Sequence, residues 1–122
     1  MPPRSPSFLH SLRHAANGVR LALNTQRNMR AHAAVTLLVI ATGIVLPTSL
    51  GEWVIIAFTI GLVWQAELIN TAIEAIVDKT SPEIHPLARA AKDCAAAAVL
   101  VTALTALVVG ALIFTPKLLA LL

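Results

Sequence analysis

The chain has 122 residues, 57% of them hydrophobic, 12% charged and 4% aromatic, with a net charge of +3 at pH 7 and a mean hydropathy of +0.80. Apolar content above the roughly 45–50% of an ordinary soluble domain leaves too few charges to cover an aqueous surface, which excludes a free soluble domain, a disordered chain and a nucleic-acid scaffold. A lone cysteine, Cys94, excludes an internal disulfide.

Pro2, Pro3 and Pro6 make the first residues poor helix formers. Residues 7–25 then predict an amphipathic helix. Phe8, Leu12, Ala15, Ala16, Val19 and Leu23 recur at helical spacing on one face, and His10, Arg13, His14, Asn17, Arg20 and Asn24 fall opposite. Such a helix lies at the bilayer surface, packs its stripe on the other helices of the protein, or does both. Arginines spread through this region with no apolar block before Arg30, so it does not read as a secretory signal.

Residues 31–51 and 94–116 contain no charge, giving stretches of 21 and 23 residues. Each can cross a bilayer, which takes about 20. Between them, residues 53–66 are also uncharged, and the apolar pattern continues to residue 77 while carrying Glu67 and Glu74. The expected spans are 30–50, 53–78 and 92–115. Thr48, Ser49, Glu52 and Trp53 form a polar start to the second span, with an acid near the positive helix end and an indole at headgroup level. Pro82 and Pro86 break the helix before the third span, where the alanine run 95–98 permits close packing. The fold class expected is an all-α integral membrane protein of one domain, with three transmembrane helices and an N-terminal surface helix.

Every Lys and Arg except Lys117 lies on one side of these spans. Arg4, Arg13, Arg20, Arg27 and Arg30 precede the first, and Lys79, Arg89 and Lys92 lie between the second and third. Positive residues are retained in the cytoplasm, so the N-terminus and the 78–93 loop should face it.

The candidate chemistry sits on the second span. Glu67, Asn70, Glu74 and Asp78 are spaced by three, four and four residues, which places them in one stripe about 16 Å long. A carboxylate at the bilayer centre costs about 2.5–3.5 kcal/mol even on the lower scale, so these acids require cations, a metal, water or partner helices. An interhelical polar lock would use the same groups. At the cytoplasmic end, Glu83, His85, Arg89, Lys92 and Asp93 join Arg20, Arg27 and Arg30. Carboxylates beside cations suit a magnesium-bound polyphosphate, although a solvated loop accounts for each residue singly.

Gly18, Gly43, Gly51, Gly61 and Gly110 are isolated, so no phosphate-binding glycine loop is present and a nucleotide site must be built from side chains. No His or Cys pair has zinc-like spacing, and Ser81 lacks a base partner. A small oligomeric transporter or pore could use Glu67 and Glu74 as ion-coupling sites, but it would have no use for Glu83, His85, Lys92 and Asp93. A non-catalytic membrane scaffold is a third reading.

The run A-E-L-I-N-T-A-I-E-A-I-V-D over residues 66–78, with S-P-E at 81–83, H-P-L-A at 85–88 and A-K-D at 91–93, closely resembles the signature of the small prokaryotic diacylglycerol kinase and undecaprenol kinase family. Arg27, Asn28, Met29, Arg30 and His32 also resemble its R-N-x-R-x-H segment, so the resemblance extends from about Ser11 to Leu112. It implies a homotrimer in the bacterial inner membrane, with active sites shared between neighbours on the cytoplasmic side. The implied reaction moves the γ-phosphoryl group of MgATP to the hydroxyl of a membrane lipid. By the same resemblance Glu67 is the catalytic base, Asn70 positions substrate or phosphate, and Glu74 is the main magnesium ligand. Asp78, Glu83, His85, Lys92 and Asp93 resemble nucleotide-site residues. Many members have a glutamate in the magnesium site eight residues after the equivalent of Gly18, whereas this chain has Gln26, which keeps an oxygen donor and loses the charge. The 81–86 loop and Asn28-Met29-Arg30 look more like the undecaprenol kinase branch.

Overall fold

In a computed structural model the described residues are 7–122, and they form four helices: α1 (Phe8–Thr25), α2 (Arg27–Val45), α3 (Leu50–Thr80) and α4 (Pro86–Leu119). Pro2, Pro3, Pro6 and Arg4 lie outside these residues. Helices α2, α3 and α4 are each long and apolar enough to cross a membrane. The architecture is therefore the all-helical, three-span one expected.

Helix α1 begins where the Ser7 hydroxyl accepts a hydrogen bond from the His10 N–H at 3.3 Å. It stops at Gln26, whose extended backbone turns the chain into α2. Arg30 crosses the bend and donates to the Leu23 and Asn24 carbonyls at 3.0 and 3.2 Å, meeting acceptors that the end of α1 leaves open. Of the predicted apolar stripe, Val19 and Leu23 are half-buried, while Phe8 and Leu12 are exposed. The stripe is thus not covered by the other helices of the chain, as a helix lying on a bilayer requires.

Helix α2 ends at Val45, short of residue 50, because Pro47 restricts Leu46 to extended backbone and offers no N–H. The Leu46 N–H closes the last turn on Thr42 at 2.9 Å, and the Thr48 hydroxyl donates to the Gly43 carbonyl at 2.8 Å. Helix α3 opens with a reciprocal cap: Ser49 Oγ accepts from the Glu52 N–H at 3.2 Å, and Glu52 Oε2 accepts from the Ser49 N–H at 3.0 Å. Trp53 lies against Gly43 so closely that a Cβ there would stand 2.6 Å from its Cη2 atom. Helix α4 starts with Pro86 in its first turn and runs past residue 115 through Pro116, reaching Leu119.

The contacts fix the topology. Gly43 meets Trp53 and Thr36 meets Trp64, so α2 and α3 are antiparallel; Asp78 meets Lys92 and Glu52 meets Lys117, so α3 and α4 are antiparallel as well. Most interhelical packing joins α3 to α4. A buried cluster of Leu46, Ile56 and Phe114, flanked by Val39, Trp53, Ile60 and Ile113, closes the end opposite the acidic stripe. Between α2, α3 and α4 an apolar cavity of about 510 Å³ extends from Phe114 to His32 and Thr36. Large apolar side chains such as Leu37, Ile44, Phe58 and Leu107 point outward along all three long helices, as a lipid-facing surface demands.

Candidate functional site

Helical spacing puts Glu67, Asn70, Glu74 and Asp78 on one side of α3, and their burial falls steadily along it. Glu67 is 0% exposed and Asn70 6%, Glu74 is half-buried, and the Asp78 side chain is 66% exposed. The stripe therefore runs from inside the helical packing to the surface.

At its deep end Glu67 has, among the described residues, no hydrogen-bond partner on either carboxylate oxygen. His32 Nε2 on α2 stands 3.7 Å from Glu67 Oε2, beyond hydrogen-bonding reach. One turn along, Asn70 Nδ2 donates to Glu74 Oε1 at 3.3 Å, while Asn70 Oδ1 is buried without a donor. An unmatched buried polar atom costs about 1–3 kcal/mol, and more when charged. Three such atoms lie within one turn of helix, and buried acceptors of this kind call for a further partner or a chemical role.

The shallow end is organised differently. Lys92 Nζ donates to Asp78 Oδ1 at 2.7 Å, bridging the end of α3 and the start of α4. Arg89 and Asp93 approach to 3.9 Å as a largely exposed pair within one turn, which contributes little. His85 has a structural task here: its Nδ1 accepts from the Leu87 N–H at 3.1 Å and caps α4. Glu83 is exposed, and its carbonyl accepts from the Ser81 hydroxyl at 3.4 Å. Gln26 sits half-buried at the corner between α1 and α2, with no capping bond from its side chain. The fold thus brings together Glu67, Asn70 and Glu74, and separately Asp78 with Lys92. It leaves Glu83, His85 and Asp93 on an open rim.

Among the described residues no three His, Cys, Asp or Glu side chains converge as a ready metal cage. The donors on the stripe are nonetheless hard oxygens, the Glu74 carboxylate and the unmatched Asn70 Oδ1 one turn away, while the Gln26 amide lies at the α1–α2 corner. This set fits Mg²⁺, which takes one or two carboxylates, keeps several waters and fills its shell from phosphates. Beside Asn70, an open cavity of about 620 Å³ between α3 and α4 is lined by Gln65, Ala66, Ile73, Cys94 and Ala98 among others.

One part of this geometry has no counterpart in the predicted site. Trp64 Nε1 donates to Thr36 Oγ1 at 2.9 Å, and that hydroxyl donates to the His32 carbonyl at 2.7 Å. Trp64 lies three residues before Glu67 and His32 four before Thr36, so helical periodicity puts each pair on one face of its own helix, while the pairing across α2 and α3 is set by the tertiary fold.

Comparison with known proteins agrees with the geometry. Residues 13–114 match the family described as prokaryotic diacylglycerol kinase. The undecaprenol kinase of Bacillus subtilis is 45% identical over 111 residues, covering 91% of this chain and 90% of that protein. The diacylglycerol kinase of Synechocystis is 42% identical over 118 residues, covering 96% and 67%, and that of Escherichia coli K12 is 32% identical over 91 residues, covering 75% of each. The chain belongs to the prokaryotic diacylglycerol kinase family, and with it to the phosphotransferases that use an alcohol group as acceptor.

Proposed function

We propose that this lipid kinase transfers the γ-phosphoryl group of MgATP to the hydroxyl of a membrane lipid, with undecaprenol the preferred acceptor and diacylglycerol the next. The observation that carries the reading is Glu67, a carboxylate fully buried in a membrane-length helix with both oxygens unpartnered among the described residues. Such a group is poised to accept a proton from an alcohol that reaches it within the bilayer. The preference for undecaprenol rests on the 81–86 loop and on the 45% identity to a relative of that name.

In this reading Glu67 takes the proton of the lipid alcohol as its oxygen attacks the γ-phosphorus, and ADP departs. Asn70 orients the incoming group through its free amide oxygen, held by its bond to Glu74. Seven residues separate Glu67 from Glu74, about 10 Å along the helix, which sets the alcohol apart from the polyphosphate. Glu74 and Gln26 would hold Mg²⁺, which when bound neutralises charge on the phosphates. Lys92, fixed by Asp78, supplies positive charge at the membrane surface, and Glu83, His85 and Asp93 border the nucleotide. Because one chain leaves this rim open, we assign the missing walls to neighbouring copies in a homotrimer. The charge distribution supports a cytoplasmic site in the bacterial inner membrane.

The test is purified protein with labelled ATP, Mg²⁺ and either undecaprenol or diacylglycerol, with products separated by thin-layer chromatography. Phosphorylated lipid that requires Mg²⁺ and is greater with undecaprenol is the expected result. ATP consumption indifferent to lipid would overturn it.

A further inference from the structure

We infer that His32 is a positioning residue for Glu67, held opposite it by the Trp64–Thr36 hydrogen bond. The inference rests on Glu67 being the base.

Two rungs join α2 to α3. In the deeper one, the Trp64 indole N–H reaches Thr36 Oγ1 at 2.9 Å; in the shallower one, His32 faces Glu67 at 3.7 Å. Each helix advances by about one turn between the rungs, so fixing the first sets the register of the second. The Thr36 hydroxyl also donates to the His32 carbonyl at 2.7 Å, tying the indole bond to the backbone that carries the imidazole. Among the described residues, His32 is the one basic side chain within ion-pair distance of Glu67. Its own side chain is mostly buried, so water competes weakly for it.

The geometry divides the labour of the carboxylate. An imidazole N–H at Nε2 that closes from 3.7 Å to hydrogen-bonding distance engages Oε2 and leaves Oε1 for the alcohol proton. Catalytic hydrogen bonds are commonly long before substrate binds and tighten in the reacting complex. Among the described residues no other basic side chain is within reach to orient the carboxylate about its last torsion. A base held by a second group keeps both its orientation and its ability to accept the proton, and loss of such a partner commonly costs about 10–100-fold in activity.

The experiment is a double-mutant cycle in the purified kinase, assayed with undecaprenol and with diacylglycerol. His32→Leu is expected to lower kcat by about 10–100-fold with the KM for MgATP nearly unchanged. His32→Gln, which keeps an N–H near the Nε2 position, should recover most of it. In a Glu67→Gln background His32→Leu should cost nothing further, since the group it positions is gone. Parental kcat in His32→Leu, or an equal loss in both backgrounds, overturns the inference while leaving Glu67 as base. Near-parental turnover in Glu67→Gln alone overturns the base, and this inference with it. Should His32→Leu not fold, Thr36→Val decides: a loss of kcat confined to the background with Glu67 intact supports the inference, and any other pattern refutes it.

Discussion

Helix α3 carries one carboxylate in its first turn and another just past its middle, and treats the two in opposite ways. Glu52 accepts from the Ser49 N–H and is gripped by Lys117, whose ammonium also donates to the Pro47 carbonyl at 2.6 Å. Glu67, fifteen residues on, is more deeply buried and has no hydrogen-bond partner among the described residues. The first ties the start of α3 to the turn before it and to the end of α4, and its bonds are complete within the chain. The second has no such bonds among the described residues. A carboxylate that serves the fold is satisfied by it, whereas one left unmatched costs about 1–3 kcal/mol per atom and calls for a further partner or a chemical role.

The contrast is broken most directly at Glu67. Glu67→Gln removes the proton acceptor and keeps the shape, so kcat should fall by about 10²–10⁴-fold while nucleotide affinity changes little. Removing an uncompensated buried charge should leave the folded protein as stable or more so, as a detergent-phase thermal melt would register. Lost ATP binding in a folded variant would show that Glu67 belongs to the nucleotide site instead.

Glu74→Gln probes the middle of the stripe and should have the next largest effect. The amide keeps the Asn70 contact possible but removes a charged oxygen donor. The expected result is a Mg²⁺ requirement raised by about tenfold or more, with activity partly restored at high Mg²⁺ and ATP. A variant matching the parent at every Mg²⁺ concentration would take Glu74 out of the metal site.

Much of this contrast was legible in the sequence, because both carboxylates obey local rules. The 3-4-4 spacing of Glu67, Asn70, Glu74 and Asp78 places them on one face whatever the tertiary fold, and Ser49 three residues before Glu52 is a capping pattern. The uncharged stretches announced three spans for the same reason. What stayed hidden was non-local. Lys117 reads as a trailing charge, yet its partner lies 65 residues away. Nothing in the periodicity of α2 says that Thr36 meets Trp64, so the register that sets His32 against Glu67 is visible only in three dimensions. His85, which the sequence groups with the nucleotide-site residues, has a further task visible only in the structure, since its Nδ1 caps α4.

At the satisfied end, Gly43→Ala tests packing without touching the acids. The new Cβ would fall 2.6 Å from Trp53 Cη2, and the ring is held by the cluster of Leu46, Ile56 and Phe114. Overpacking of this kind costs about 1–3 kcal/mol, to be read as a lower denaturation midpoint in detergent. Glu67 lies fourteen residues beyond Trp53 along α3, about 21 Å away, so kcat below the melting range should equal that of the parent.

Ser49→Ala is the mildest break and the sharpest separation of the two ends. It deletes the oxygen that accepts from the Glu52 N–H at 3.2 Å, leaving an orphan donor in the first turn of α3. The Glu52 carboxylate retains the Ser49 backbone N–H and Lys117, because neither needs the hydroxyl. Half of the reciprocal cap is therefore lost and the ion pair is kept, so the stability loss should be about 1 kcal/mol, the usual cost of removing such a cap. Glu67 lies eighteen residues further along a helix whose hydrogen bonds are otherwise intact, about 27 Å away. Turnover and the Mg²⁺ requirement should accordingly stay at parental values while the melting midpoint falls. If Ser49→Ala instead lowers kcat with the midpoint unmoved, the capped end communicates with the stripe and the division of α3 into a structural and a chemical end is wrong.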